Sequence, residues 1–158
     1  RTFQDMSILG LDISTYKIAI ATLSLDGYAV VELTSKSRSW ETRLKELYVQ
    51  FLPWVASNVS QDDLVCIEDI PLVQNRQSLI KLVHVLAMCR VVFMEHDMDV
   101  FTVNVKTWKK DVIGDGGADK DKVKAMAVKI LGKEISKLSQ DAIDALMIAK
   151  WGELRVSP

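Results

Sequence analysis

The sequence predicts an α/β fold: a five-stranded mixed sheet, an antiparallel meander followed by parallel strands, with helices on both faces. Three observations carry this reading. The β-rich runs 7–14, 18–24 and 28–33 are joined by turns too short to hold crossover helices, so they form a meander. The apolar runs 64–68 and 99–103 are each reached through a segment with helical apolar spacing, which makes them crossover strands parallel to the first. The last third of the chain reads as short helices separated by Gly and Asp turns.

The elements follow in order. The first strand carries Ile8, Leu9, Leu11 and Ile13 with no Lys or Arg among them, yet Asp12 lies inside it. Leu25-Asp26-Gly27 turns the chain into the third strand. Ser39 can cap a helix whose apolar side is Trp40, Leu44, Leu47, Tyr48, Phe51, Leu52 and Val55, with Arg43, Lys45 and Glu46 between them. Pro53 is expected to end or kink it. After the fourth strand and Pro71, a loop through Gln74, Asn75 and Arg76 leads into a helix over 77–95 that is apolar nearly all round. One sheet face cannot bury all of that, so the helix requires a second partner: a matching subunit, or the last helix of the same chain. A short helix over 105–113 ends at Gly114, Asp119 caps a helix to Leu131, and Ser139 caps a last helix expected to stop at Gly152. With no repeat, linker or low-complexity stretch, residues 6–158 read as one domain, Met6 as its natural start and residues 1–5 as an addition.

The bulk composition is ordinary for a globular chain: 158 residues, 49% hydrophobic, 26% charged. No apolar run reaches membrane-spanning length and no signal peptide is visible. Cys66 and Cys89 read as buried free thiols in a reducing cytosol, which places the protein in the cytoplasm. The net charge of −1 argues against a nucleic-acid binder, but its distribution argues the other way. Residues 104–137 hold nine lysines against five acids, a local +4.

The acids of interest lie outside that basic segment. Asp12, Glu68 in Leu64-Val-Cys-Ile-Glu68, and Asp141 and Asp144 in Asp141-Ala-Ile-Asp144 all have apolar flanks. A carboxylate in such a setting needs a cation, donors or a proton. The two aspartates are three apart and share a helix face, and Ala142, Ala145 and Ala149 allow that helix close to the sheet. Singly each has a bland explanation, such as complementing a helix dipole. Together they form a set of hard oxygen donors suited to Mg²⁺ or Mn²⁺, and two such ions about 3.5–4 Å apart support phosphoryl transfer.

The order strand-Asp, strand-Glu, then Asp-x-x-Asp on the last helix resembles the RuvC Holliday junction resolvases of the RNase H-like superfamily. Ile8-Leu-Gly-Leu-Asp12-Ile-Ser14 looks like the first motif, Ile67-Glu68 and the loop to Asn75 like the second, Val105-Lys106 and Gly117-Ala-Asp-Lys120 like the basic stretch, and Asp141-Ala-Ile-Asp144-Ala-Leu-Met-Ile-Ala149 like the last. The resemblance implies an endonuclease that cuts opposed strands of a four-way DNA junction. In it Asp12, Glu68, Asp141 and Asp144 hold the metal, Lys106 and Lys120 lie near the scissile phosphate, and the helix over 77–95 forms a homodimer. Lys109, Lys110, Lys122 and Arg76 extend the DNA surface. The best-known members carry an aromatic wedge where this chain has Pro71, with Leu72 beside it as the apolar substitute. The chain's shortness and divergence resemble a phage-encoded member acting in a bacterial cytoplasm.

The alternative within the same fold is a broader nuclease, with branched-DNA, RNase H-type or YqgF-like activity, which the dimer helix disfavours because a two-fold substrate suits a two-fold enzyme. Two other classes fit less well. An actin-like ATPase also opens with Gly-x-Asp, but it requires a second phosphate loop and roughly twice the length. A non-catalytic DNA-binding module has no use for four apolar-flanked acids.

Overall fold

The structure is a computed structural model that describes residues 6–72 and 75–156. The segment 1–5, read as an addition, and Gln74 of the loop lie outside the described residues. The strands are β1 (Ile8–Ile13), β2 (Lys17–Ser24), β3 (Gly27–Thr34), β4 (Leu64–Glu68) and β5 (Val100–Val103), in the sheet order β3-β2-β1-β4-β5. β1 pairs antiparallel with β2 and parallel with β4, β2 pairs antiparallel with β3, and β4 parallel with β5. The meander and both crossover strands are therefore as the short turns and helical connections dictate.

Side chains alternate across each strand, and the alternation sorts two apolar layers. Leu9, Leu11, Ile18, Ile20, Val65 and Ile67 face one side, against α1 (Trp40–Asn58) and α2 (Arg76–Glu95). Ile8, Ala19, Ala21 and Cys66 face the other, against α5 (Gln140–Val156) and the helices before it. Those are α3 (Val105–Trp108), which continues into a π-helical turn over Lys109–Ile113, and α4 (Lys120–Leu131). Gly114 ends the π-turn at φ 89°, a left-handed position that favours glycine.

Helix α1 is capped as expected, with the Ser39 hydroxyl accepting from the Thr42 amide. Pro53 neither ends nor bounds it; the helix runs on to Asn58. Pro53 and Val49, whose carbonyl loses its partner there, are both on the exposed side, where water can satisfy that carbonyl. Arg43 is not on the solvated side that its charge suggested. It is 4% exposed, donating to the carbonyls of Thr15, Ser37 and Arg38 while stacking 4.0 Å from the Tyr16 ring centroid. It thus clamps the β1–β2 turn to the start of α1.

Helix α2 is long and apolar enough to cross a membrane by length and composition, contrary to the reading that no run is. In the fold one of its faces, Val85, Leu86, Cys89, Val92 and Phe93, is buried against α1 and the sheet. Its other face leaves Val83, Val91 and Met94 41–66% exposed. The last helix of the chain does not cover this face, because α5 packs on the opposite side of the sheet.

Helix α5 is capped by Ser139, whose hydroxyl accepts from the Ala142 amide. It does not stop at Gly152 but continues to Val156. Glycine is required there by packing rather than termination: a Cβ would come within 2.6 Å of Cys66 Sγ and 2.9 Å of Ile8 Cγ2. Gly10 on β1 makes the reciprocal close approach to the helix at Ala145 and Ala149.

Candidate functional site

The strand pairing fixes the position of two acids. Leu11 of β1 is paired with Ile67 of β4, so Asp12 and Glu68 follow side by side at the carboxyl ends of two central parallel strands. By the alternation of each strand both share the face of Gly10 and Cys66, the face that α5 covers. The close seat of α5 on Gly10 then brings its first two turns, with Asp141 and Asp144, over the strand ends. The four sequence-predicted acids thereby gather around Asp12, which lies within electrostatic reach of the other three.

Burial and mutual repulsion shift their acidity. Burial, then the charges of Glu68, Asp144 and Asp141 and a hydrogen bond shared with Asp141, push Asp12 up to about 8. Glu68 is raised above its ordinary value by burial and by Asp144, against the indole N–H of Trp108 and the charge of Lys109, which both favour the anion. Asp144 is raised by burial, against the Gln140 amide and the charges of Lys109 and Lys120. Three neighbouring carboxyls short of positive charge form an environment that favours either protons or a cation.

Glu68, Asp144 and Asp141 each also hold a side-chain partner from outside the four acids. Trp108 Nε1 donates to Glu68 Oε2 at 2.6 Å, Gln140 Nε2 to Asp144 Oδ1 at 2.8 Å, and Lys17 Nζ lies 3.1 Å from Asp141 Oδ2. With the carboxylates so engaged, no three His, Cys, Asp or Glu side chains among the described residues close on a common point as an ion's ligands would. Trp108, Gln140 and Lys17 were not singled out from the sequence. Trp108, fully buried in α3, offers no local sign that its N–H aims at a residue forty positions earlier.

The basic residues divide. Lys109 and Lys120 are near enough to Glu68 or Asp144 to act on their titration. Lys109 is held there by its bond to the Ala118 carbonyl, 2.8 Å, and by the extra residue of the π-turn it opens. Lys106 and Lys110 are exposed on the same segment. Lys122 is paired with Asp115 at 2.7 Å, so its charge is already partnered. Arg76 is exposed in the first turn of α2. Pro71 lines an open cleft of ≈ 100 Å³ together with Asp12, Glu68, Ile70 and Leu82, and Leu72 beside it is 98% exposed.

A mixed sheet ordered 3-2-1-4-5, with acids at the ends of its central strands and on the last helix, defines the RNase H-like class of fold. The structure of Thermus thermophilus RuvC in complex with Holliday junction substrate superposes with a TM-score of 0.79 over 96% of this chain and 97% of that one, at 17% identity. A second T. thermophilus RuvC structure gives 0.75 at 19% identity, over 96% and 98%. Residues 9–150 match the family described as crossover junction endodeoxyribonuclease RuvC, and the chain belongs to that family. The protein of that name from Haemophilus influenzae strain PittEE is 35% identical over 108 residues, 68% of this chain and 55% of the relative. The one from Actinobacillus succinogenes is 31% identical over 136 residues, 78% and 70%. The chain thus spans little more than half the length of the H. influenzae relative it matches.

Proposed function

We propose that this chain is a metal-dependent endonuclease of the cytoplasm that resolves four-way DNA junctions by paired nicks on opposed strands, acting as a homodimer. The observation that supports it most is Asp12: a carboxyl on a buried strand, hemmed in by Glu68, Asp141 and Asp144, whose burial and neighbouring charges all disfavour its charged form. The donor set is hard oxygen throughout and fits Mg²⁺ or Mn²⁺. Bound there, a pair of such ions supplies an activated water and charge stabilisation at the leaving oxygen. The chain's own residues do the rest. Asp12, Glu68, Asp141 and Asp144 are the ligands, with Trp108 and Gln140 orienting two of them. Lys120, whose charge reaches Asp144, is the cation that meets the scissile phosphate, and Lys109, Lys106 and Lys110 bind the DNA backbone. Attack of a water oxygen on the scissile phosphorus with rupture of the P–O3′ bond, the departing 3′ oxygen taking up a proton, gives 5′-phosphate and 3′-hydroxyl ends that a ligase can join directly. The deciding comparison is cleavage of four-way junctions, flaps and RNA–DNA hybrids in Mg²⁺ and Mn²⁺. Symmetric nicking confined to junctions supports resolution; indifferent cutting of flaps or hybrids replaces it with a broader branched-DNA nuclease. The Pro71-Leu72 loop favours that second reading, since it offers a small apolar tip where an aromatic wedge would enforce junction geometry.

Phosphate contacts release counterions, so junction binding should weaken steeply with salt. Lys106→Ala and Lys120→Ala should each reduce the slope of log affinity against log salt by about one. Lys122→Ala should change it less, because that ammonium already neutralises Asp115. Fluorescence anisotropy across a salt series checks this, and an unchanged slope in the Lys106, Lys120 double variant removes both from the interface.

The dimer rests on the uncovered face of α2. Val83 and Val91 stand two turns apart on it, with Met94 one turn further. Val83→Glu or Val91→Glu places a charge that is solvated in the monomer but buried and unpaired across a two-fold interface, at a cost of several kcal/mol. Sedimentation should show wild type as a dimer and either variant as a monomer that nicks without pairing the nicks. Val85 is unsuited to this test, being 2% exposed within the chain's own core.

A further inference from the structure

The acids of the site have a cation already, supplied by the chain. Lys17 opens β2 directly after the turn that follows Asp12. That turn is fixed by Ser14, whose hydroxyl accepts from the Tyr16 and Lys17 amides at 3.2 and 3.0 Å and whose own amide donates to the Lys17 carbonyl at 2.8 Å. Lys17 falls on the α5 side of β2 with Ala19 and Ala21, and its side chain is 28% exposed. Its ammonium lies 3.1 Å from Asp141 and 3.2 Å from Glu32. Glu32 is paired in register with Ala19 and is thus the diagonal neighbour of Lys17 across the strands. Glu32 also accepts from the hydroxyl of Ser139, the cap of α5. The ammonium is therefore held from β3 and aimed at the first turn of α5. Lys17, Asp141, Asp12 and Ser14 together line a crevice of ≈ 10 Å³, room for about one small ion or water.

We propose that Lys17 is the resident counter-ion of the carboxylate cluster, competing with a divalent cation for Asp141 and so setting the cation concentration at which the site fills. This rests on the metal-binding reading of the four acids. A cation that takes Asp141 must either break the Lys17 pair or sit within a few ångströms of a fixed positive charge, and both weaken its binding. Lysine suits the role, being a compact point charge that neutralises a carboxylate without a fork of donors to fill the whole site. The pairing also explains why Asp141 is tolerated beside Asp12 before any divalent cation arrives.

The test is Mn²⁺ titration of the DNA-free chain by calorimetry, with thermal unfolding alongside. Lys17→Met should bind Mn²⁺ about tenfold or more tightly than wild type, should unfold at lower temperature without Mn²⁺, and should gain more from its addition. Lys17→Arg, which keeps the charge, should stay near wild type. Lys17→Gln serves as the second neutral variant if Met disturbs folding. The Mn²⁺ concentration for half-maximal junction cleavage should fall in parallel. Unchanged or weaker Mn²⁺ binding in a natively folded neutral variant overturns the proposal while leaving the metal site standing. No Mn²⁺ binding by wild type or variants overturns both.

Discussion

Asp12→Asn should abolish junction cleavage while leaving DNA binding intact or stronger, and should stabilise the metal-free protein at alkaline pH. The first half follows from geometry. Asp12 sits at the focus of Glu68, Asp141 and Asp144, and an amide cannot donate the charge that a hard cation requires. Loss of a negative charge beside the phosphate path also relieves repulsion of DNA. The second half follows from linkage. Asp12 is pushed up to about 8 from an ordinary 3.8, so the folded chain prefers it protonated. Its contribution to stability is fully present below the unfolded value and is lost as pH rises through the folded one, between about 4 and 8. Wild type without divalent cation should therefore lose on the order of a few kcal/mol across that window from this group. Glu68 and Asp144, raised for the same reason, add to the loss in the same sense. Asn carries no charge at any pH, so the wild-type and Asp12→Asn melting temperatures should nearly coincide below about pH 4, diverge steadily as pH rises to about 8 and stay apart above it, the variant being the more stable. Saturating Mn²⁺ should close the gap by stabilising wild type alone. Full cleavage by Asp12→Asn ends the metal-site reading, whereas coincident melting curves at pH 9 show that the Asp12 carboxyl is not isolated from positive charge.

The acids were legible in the sequence because their signal is local. Asp12 in an apolar strand and Asp141 three before Asp144 on a helix each contradict their surroundings, and a four-part order is hard to meet by accident. The sheet was legible because turn lengths alone separate a meander from crossovers. What local reading missed depends on who lies across the fold. Pro53 and Gly152 are breakers by local rule, but Pro53 faces water, which can serve the freed carbonyl, and Gly152 faces Cys66 and Ile8, which leave no room for a Cβ. Arg43 reads as surface charge until the carbonyls of Thr15, Ser37 and Arg38 are gathered around it. Lys17 and Trp108 are ordinary strand and helix residues until β3, β4 and α5 place acids against them. The two faces of α2 are equally apolar in sequence, and only the sheet's other face, taken by α5, tells which one is left uncovered.

Gly10→Ala should be among the most damaging single-methyl additions in this chain, to the fold and the site together. Gly10 precedes Asp12 by two residues on β1 and faces the same helix. A Cβ there would stand 2.1 Å from the Ala145 carbonyl oxygen and 2.4 Å from the Ala149 amide nitrogen. Both atoms are backbone in the middle of a buried helix, so no side chain can rotate aside; α5 must withdraw as a body. Overpacking a core costs about 1–3 kcal/mol where neighbours can shift, and here the cost should reach or exceed the top of that range. For a domain of this size about 3 kcal/mol corresponds to a fall in Tm of roughly 6–12 °C. Gly152→Ala offers the control, since its Cβ meets the Cys66 sulfur and an Ile8 methyl, which are side-chain atoms, and its fall should be smaller. Any withdrawal of α5 also lifts Asp141 and Asp144 away from Asp12 and Glu68. Gly10→Ala that survives folding should therefore lose Mn²⁺ affinity and cleavage even at temperatures where circular dichroism shows it fully helical. Wild-type Tm together with wild-type Mn²⁺ affinity in Gly10→Ala would mean that α5 does not seat on β1 closely enough to set the spacing of the four acids.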